Sequence, residues 1–261
     1  MSAIDLHARA SKDFAAKLAE TQSLLRQAAS DYAAAQPGAP ALVTQASSLG
    51  AEDVVISHLI NSLQLDIGIF VLETGRLHAQ TLDLLTTFKA ASRAPVTVYT
   101  PSTEAVVQFV TREGNDAIFK SIALRKECCN IRKMEPLARA LDGKKAWITG
   151  LRREQSGARA DVPLIDASET RIKINPLANW TWGDVWHYIS VNQVAYNPLH
   201  DAFFPSIGCE PCTRAISLGE DFRSGRWWWE AALEGGSAKE CGLHVKATPL
   251  PSSSISEKTA A

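Results

Sequence analysis

Five cysteines are the residues best suited to chemistry in this chain, and four of them fall into two pairs, Cys128-Cys129 and Cys209-Glu-Pro-Cys212. Four thiolates suit a zinc ion or an iron–sulfur cluster. Structural zinc sites usually draw on two Cys-x-x-Cys pairs. A vicinal pair sets two sulfurs on successive residues, an awkward bite for one tetrahedral ion and an easier one for a cluster spread over several irons. The spacing favours a cluster and leaves zinc as the alternative. Reading the set as ordinary buried thiols is hard to sustain for Cys209, which Gly208, Glu210 and Pro211 flank. Cys241 stands outside both pairs.

The second candidate is the loop Ser47-Ser-Leu-Gly-Ala-Glu-Asp53. It joins a strand-like run to a helical one, and backbone N–H groups at a positive helix end make such a loop an anion site. It is not a Walker A loop, because no Gly-Lys-Ser/Thr follows. A plain strand-to-helix turn with a serine cap fits the same residues, and both readings stay open at this point.

These groups need a scaffold, and the hydrophobic patterning shows which. Residues 4–34 set Leu6, Phe14, Leu18, Leu25 and Ala28 among polar neighbours, as one or two amphipathic helices do, until Pro37-Gly-Ala-Pro40 breaks them. A strand over 41–46 leads through the serine loop into a helix over 52–63. The alternation repeats with strand 67–72 and helix 77–91, strand 96–99 and helix 103–112, then helix 127–141 and strand 146–149. This predicts an α/β fold, a doubly wound, mostly parallel sheet with helices on both faces. Ligands of such sheets sit at the carboxyl ends of the strands, where Ser47 to Gly50, Thr74-Gly75 and Gly150 fall. Beyond Gly150 a last strand over 171–174 and a helix opened by the capping box Thr181-Trp-Gly-Asp184 are expected. The tail from Thr248 is polar and rich in Pro and Ser, as disordered segments are. The expected organisation is N-terminal helices over 1–36, an α/β domain over 37–244 ending in a mobile segment, and a disordered tail over 245–261.

The chain has 261 residues, 46% hydrophobic and 21% charged, ample for a sizeable core. A formal net charge of −1 argues against a global pull toward nucleic acid or anionic membrane, so any anion site is local. Arg9, Lys12 and Asp13 precede any apolar run, and no stretch approaches the ~20 apolar residues of a membrane span. A cytoplasmic protein is expected, and an odd number of cysteines in a long chain fits that better than a disulfide scaffold.

Four segments together carry a resemblance: Cys128-Cys-Asn-Ile-Arg-Lys-Met-Glu-Pro-Leu137, Ile207-Gly-Cys-Glu-Pro-Cys-Thr-Arg214, Gly225-Arg-Trp-Trp-Trp-Glu230 and Lys239-Glu-Cys-Gly-Leu-His244. Leu72-Glu-Thr-Gly-Arg-Leu-His78 and Trp147-Ile-Thr-Gly-Leu-Arg-Arg-Glu154 add to it. From about residue 41 to residue 244 the chain resembles the assimilatory adenylyl-sulfate reductases, bacterial iron–sulfur enzymes of the PAPS reductase family. The resemblance implies an adenine nucleotide α-hydrolase-like sheet and an oxidoreductase that reduces adenosine 5′-phosphosulfate to sulfite and AMP, in sulfate assimilation and cysteine biosynthesis. It implies one [4Fe–4S] cluster per chain on Cys128, Cys129, Cys209 and Cys212, and a catalytic nucleophile at Cys241. Ser47, Gly50 and Thr74 are implied to contact the sulfonucleotide, with Gly150 and Arg159 near its adenosine part. Lys133 is implied to lie between cluster and substrate, Arg223 and Arg226 to hold the phosphosulfate, and His244 to stand beside the nucleophile. Thioredoxin, or a glutaredoxin-like dithiol, is the implied reductant; the oligomeric state, a homo-oligomer included, stays open.

The loop departs from the family's usual Ser-x-Ser-Gly at Leu49, which replaces a serine expected to face the anion, so that either Ser48 substitutes after a small backbone shift or one hydrogen bond is lost; Glu73 replaces the usual Asp. Neither change touches the cysteines. The chemistry is consistent: a Cys241 thiolate near Arg223, Arg226, Lys239 and His244 attacks the sulfate sulfur, AMP leaves, and an S-sulfocysteine remains. The other four cysteines being committed, an external dithiol must release sulfite. A phosphoadenylyl-sulfate reductase would share this chemistry but normally lacks the four cluster cysteines. A nucleotide-activating enzyme of this fold would want a Ser-Gly-Gly-x-Asp-Ser loop. A non-catalytic four-cysteine zinc module would leave Cys241 and the arginines unexplained. Of the remaining residues, Arg125 and Glu127 read as a solvated helix face. His58 and His187 read as core or surface histidines. Trp180, Trp182 and Trp186 read as packing residues, and Trp227 to Trp229 as core rather than a base-stacking cover.

Overall fold

Successive side chains along the strands point to opposite faces and so join two different cores. The computed structural model describes residues 1–168 and 170–232. On β2 (Gly68–Leu72), Ile69 and Val71 join one core while Phe70 and Leu72 join the other. On β4 (Ala146–Ile148), Ala146 and Ile148 join the first core and Trp147 the second. Both faces of these strands are apolar, as a parallel sheet covered on both sides requires.

Among the described residues the sheet has six strands in the order β3-β2-β1-β4-β6-β5, with β1 (Val43–Ser47) and β3 (Val96–Tyr99) on one side of the chain reversal and β6 (Ile172–Ile174) and β5 (Ile165–Asp166) on the other. β1 pairs in parallel with both β2 and β4. The chain therefore winds from β1 outward to β3, then returns to the other side of β1, which makes the β1–β4 boundary the switch point where a crevice opens. Among these described strands, β5 alone runs antiparallel, at the edge beside β6. That short strand was not among the sequence-based expectations, since two residues carry no period.

Helices α2 (Phe14–Asp31), α3 (Ala51–Ser62), α4 (Ala79–Ala91) and α9 (Trp182–Val191) cover the first face. Trp180 and Trp186 pack there too. Thr181 caps α9 through the expected box with Asp184. The short α1 (Ala3–His7) docks on α9. The second face meets Leu137 and Ala140 of α8 (Glu135–Ala140). Outside the sheet, α5 (Thr103–Glu113), α6 (Ala117–Lys120) and α7 (Ile122–Cys129) contribute Phe109, Ala117, Ile118 and Cys128 to a third, smaller core around the cysteines. No helix among the described residues is long and apolar enough to cross a membrane.

The single helix expected over 127–141 is more elaborate. It begins at Ile122, and α7 and α8 are joined by a π-helical turn at Asn130–Met134. Pro136 lacks the N–H that would close an α-helical bond to Arg132, so the turn before it opens. Such bulges often occur at functional sites, and this one carries Lys133. The expected disordered tail over 245–261 and the mobile C-terminal segment lie outside the described residues.

Candidate active site

A cleft opens at the carboxyl ends of β1, β2 and β4, lined by Ser47, Ser48, Gly50, Leu72, Thr74, Thr149 and Gly150 among others. The β1 loop is shaped by a left-handed residue. Leu49 has φ of +60° and a fully buried side chain. Its N–H donates to Ser47 Oγ at 3.2 Å. The expectation that position 49 faces the anion is therefore corrected: the backbone turns this side chain into the core, where an apolar leucine belongs, and Ser47, Ser48 and Gly50 line the cleft instead.

Acidic groups cluster at the switch point. Asp53 accepts from the Ser48 N–H at 2.6 Å and the Ser48 hydroxyl at 2.7 Å, and from the Gly150 N–H, tying the β1 and β4 loops together. Burial pushes its carboxyl up to about 6, against the Ser48 hydrogen bonds that favour the charged form. Gly150 has no room for a side chain, because a Cβ there would stand 2.4 Å from Asp53 Oδ1. Beside it, Glu52 Oε1 accepts from Arg152 Nε and Gln155 Nε2, both at 2.9 Å. Gln155 Oε1 in turn takes Arg159 Nη1 at 2.6 Å, which seats the nearly buried Arg159 in the cleft wall. The buried His200 completes this end, its imidazole lowered to about 4 by desolvation and so neutral.

The opposite wall is basic. Arg223 and Arg226 both reach Ser206 Oγ, at 3.4 and 3.3 Å, and Arg226 Nη1 also donates to the Ile207 carbonyl at 3.2 Å. Gly208 permits this approach, since a Cβ there would lie 2.5 Å from Arg226 Nη2. Lys133 joins these two arginines in the cleft. The cleft combines apolar walls, Phe70, Leu72 and Trp147 among them, with a basic end at Lys133, Arg223 and Arg226. Such a basic end attracts the charged part of an elongated anion.

The four cysteines of the two pairs are brought together around a second cavity, with Arg76, Arg125, Arg132, Lys133 and Trp227 in its wall. Cys128 and Cys129 close α7. Cys209 and Cys212 sit on a tight turn whose Cys212 N–H donates to the Cys209 carbonyl at 3.0 Å. That turn is fastened to the β2 loop by an antiparallel bridge between Leu77 and Cys209 and by Glu210 N–H to the Arg76 carbonyl at 2.8 Å. Thr74 Oγ1 lies 3.2 Å from Cys209 Sγ, and Arg132 Nη1 donates to the Thr74 carbonyl at 2.7 Å. All four thiols are free of disulfides. Burial raises the Cys128 thiol and pushes Cys212 up to about 12. Burial also opposes ionisation of Cys209, yet Lys133, Thr74, Arg226 and Arg132 together bring it below its ordinary value. Among the described residues no three His, Cys, Asp or Glu side chains are gathered as for one metal ion.

Lys133 lines both cavities. Of the residues singled out in the sequence, Ser47, Gly50, Thr74, Gly150, Arg159, Arg223 and Arg226 line the cleft, and the four paired cysteines line the second cavity. Cys241 and His244 lie outside the described residues. Arg125, expected on a solvated face, is 3% exposed and paired with Glu230, because its position one turn before the cysteines turns it inward. Glu127 pairs with Arg112 at the surface. Arg132 in the cysteine wall and Glu52, Asp53, Gln155 and His200 in the cleft were not anticipated. Helical spacing from Cys128 and Cys129 would have pointed to Arg125 and Arg132.

The comparisons with known proteins fit this arrangement. The model of the phosphoadenosine phosphosulfate reductase domain matches residues 42–215. An adenosine 5′-phosphosulfate reductase of Burkholderia cepacia is 50% identical over 209 residues, which cover 79% of this chain and 82% of that protein. The crystal structure of a phosphoadenylyl-sulfate (PAPS) reductase from Candida auris superimposes with a TM-score of 0.60 at 28% identity, covering 75% of this chain and 90% of that one. An FMN adenylyltransferase from Candida glabrata shares the fold alone, with a TM-score of 0.54 at 12% identity over 93% of this chain and 82% of its own. With its switch-point cleft, its cysteine pairs and a domain match spanning most of the sheet, the chain belongs to the phosphoadenosine phosphosulfate reductase family.

Proposed function

We propose that this chain is an adenylyl-sulfate reductase, an oxidoreductase that takes adenosine 5′-phosphosulfate to sulfite and AMP in sulfate assimilation. The observation that carries the reading is the place of Lys133, in the walls of both the arginine-lined cleft and the four-cysteine cavity. The 50% identical relative bearing the name adenosine 5′-phosphosulfate reductase supports the choice of substrate.

Cys128, Cys129, Cys209 and Cys212 would hold a [4Fe–4S] cluster. Three features support the fit. The sulfurs share a cavity rather than one tetrahedral point. Arg76, Arg132 and Lys133 line it, positive charges that favour thiolate ligands. The buried Trp227 Nε1 meets no acceptor among the described residues, leaving its N–H to a sulfur. When bound, the cluster supplies electrostatic organisation, since two thiols furnish both electrons of the reaction.

The nucleotide's adenosine lies at the β1–β4 end near Gly150 and Arg159, and its phosphosulfate reaches Lys133, Arg223 and Arg226. These cations neutralise charge developing on the bridging oxygen. The Cys241 thiolate attacks sulfur, the S–O bond to AMP breaks with its electron pair, and an S-sulfocysteine is left. A thioredoxin thiolate attacks Cys241 Sγ and expels sulfite; its second thiol closes a disulfide and frees Cys241. The motif around Cys241 assigns His244 a supporting role for this thiolate. The helices over 1–36, the reductase domain over 37–244, the tail over 245–261 and a cytoplasmic location belong to the same proposal.

Mixing the anaerobic protein with adenosine 5′-phosphosulfate and no thioredoxin should release one equivalent of AMP per chain and add a sulfonate mass to the Cys241 peptide. Cys241→Ser should do neither, because a serine hydroxyl is a poor nucleophile at neutral pH. AMP appearing only after thioredoxin is added, or the mass mapping to Cys128 or Cys129, would overturn the mechanism.

A further inference from the structure

Trp227 holds a backbone conformation that bulky residues rarely adopt, with φ of +44°. Such residues persist where the surroundings over-determine them, and here the restraints can be named. The indole is 1% exposed. The guanidiniums of Arg125 and Arg226 lie 4.6 and 4.8 Å from its ring. Its backbone N–H donates to the Cys212 carbonyl at 3.2 Å. Three residues on, Glu230 returns to Arg125, whose Nε and Nη2 donate to its two carboxylate oxygens at 2.6 and 3.1 Å.

This pair is bidentate and its side chains are only 4% and 6% exposed. A buried ion pair is weak evidence for stability, but its fixed fork geometry defines position well. Arg125 lies three and four residues before Cys128 and Cys129, on the same helix face, and it also hydrogen-bonds the Cys129 sulfur. Arg125 and Trp227 line the cysteine cavity, while Arg226, the residue before Trp227, lines the cleft. Neither Arg125 nor Glu230 lines the cleft.

We infer that the buried Arg125–Glu230 pair is a positioning device that clamps the Trp227 turn against the cysteine cavity and thereby sets Arg226 for anion binding in the neighbouring cleft. The two cavities are joined through a turn whose unfavourable φ gives Arg226 its direction. Release of the clamp lets that turn relax and carries Arg226 away. The inference rests on reading the cleft as the sulfonucleotide site.

The test uses the full chain in a Cys241→Ser background, so that binding is read without turnover. Adenosine 5′-phosphosulfate and inorganic sulfate are both titrated, and iron per chain and circular dichroism are recorded. Adding Glu230→Gln should weaken both ligands by about tenfold while iron and dichroism stay unchanged. Arg125→Lys keeps the charge but not the fork, should lose roughly threefold, and decides the matter if the first variant does not fold. Affinities within about twofold of the parent in both variants would overturn the inference. A loss of iron in step with the loss of affinity would overturn it too, because the pair would then only hold the cysteine cavity together. A parent that binds sulfate but not the sulfonucleotide would refute the substrate reading instead, with sulfate still reporting on Arg226.

Discussion

Gly208→Ala isolates the placement of Arg226 from its chemistry. The new Cβ would stand 2.5 Å from Arg226 Nη2, 2.7 Å from Cζ and 3.0 Å from Nη1, where ordinary contact begins at 3.4 Å. The guanidinium must withdraw by about 0.9 Å. Its bonds to Ser206 Oγ and the Ile207 carbonyl, already 3.3 and 3.2 Å long, then pass out of hydrogen-bonding range. A charge-assisted bond contributes roughly 1.5 to 3 kcal/mol. If the displaced arginine gives up one such bond to bound phosphosulfate, KM should rise about ten- to hundredfold. The strain is relieved by a side chain rather than by the backbone, so thermal unfolding should move little. Steady-state reduction of adenosine 5′-phosphosulfate with thioredoxin measures the effect. Gly157→Ala, with nothing within 4 Å of its new Cβ, serves as the control. An unchanged KM in Gly208→Ala would refute the placement of Arg226 against the substrate anion.

Asp53 should leave a mark on stability against pH. Its carboxyl is raised by burial from 3.8 to about 6, so the folded chain binds this proton more tightly than the unfolded one. The stability it contributes is complete below about pH 4 and is lost as pH rises through 6, a loss on the order of 3 kcal/mol by neutrality. Asp53→Asn should flatten the unfolding free energy across that window, and urea titrations at a series of pH values would show it; equal slopes in the two proteins would reject the assignment. Cys209→Ser removes the thiol that Thr74 and Lys133 face and that ties the Cys-x-x-Cys turn to the β2 loop. It should abolish bound iron and acid-labile sulfide and loosen that turn. A colourless, active wild type carrying stoichiometric zinc would end the cluster reading.

Wherever the deciding interactions are local, the amino-acid sequence was sufficient. The continuous apolar runs of β2 and β4, the box at Thr181 and Asp184, and the turn residues after β1, β2 and β4 depend on neighbours within a few positions. They led directly to a parallel sheet with a ligand cleft at its carboxyl edge. The cysteine pairs announce themselves by type and spacing, and the family motifs extend that to Lys133 and the arginines. Tertiary structure alone decided what depends on distant partners. Arg125 looks like a surface residue until Glu230, 105 positions away, buries it. Leu49 looks like a lost anion contact until its left-handed φ turns it inward. Asp53 looks like an ordinary first-turn acid of α3 until the Gly150 loop closes over it. A charge's solvation is set by the whole fold around it, whereas hydrophobic period and capping are set by the chain's own next turn.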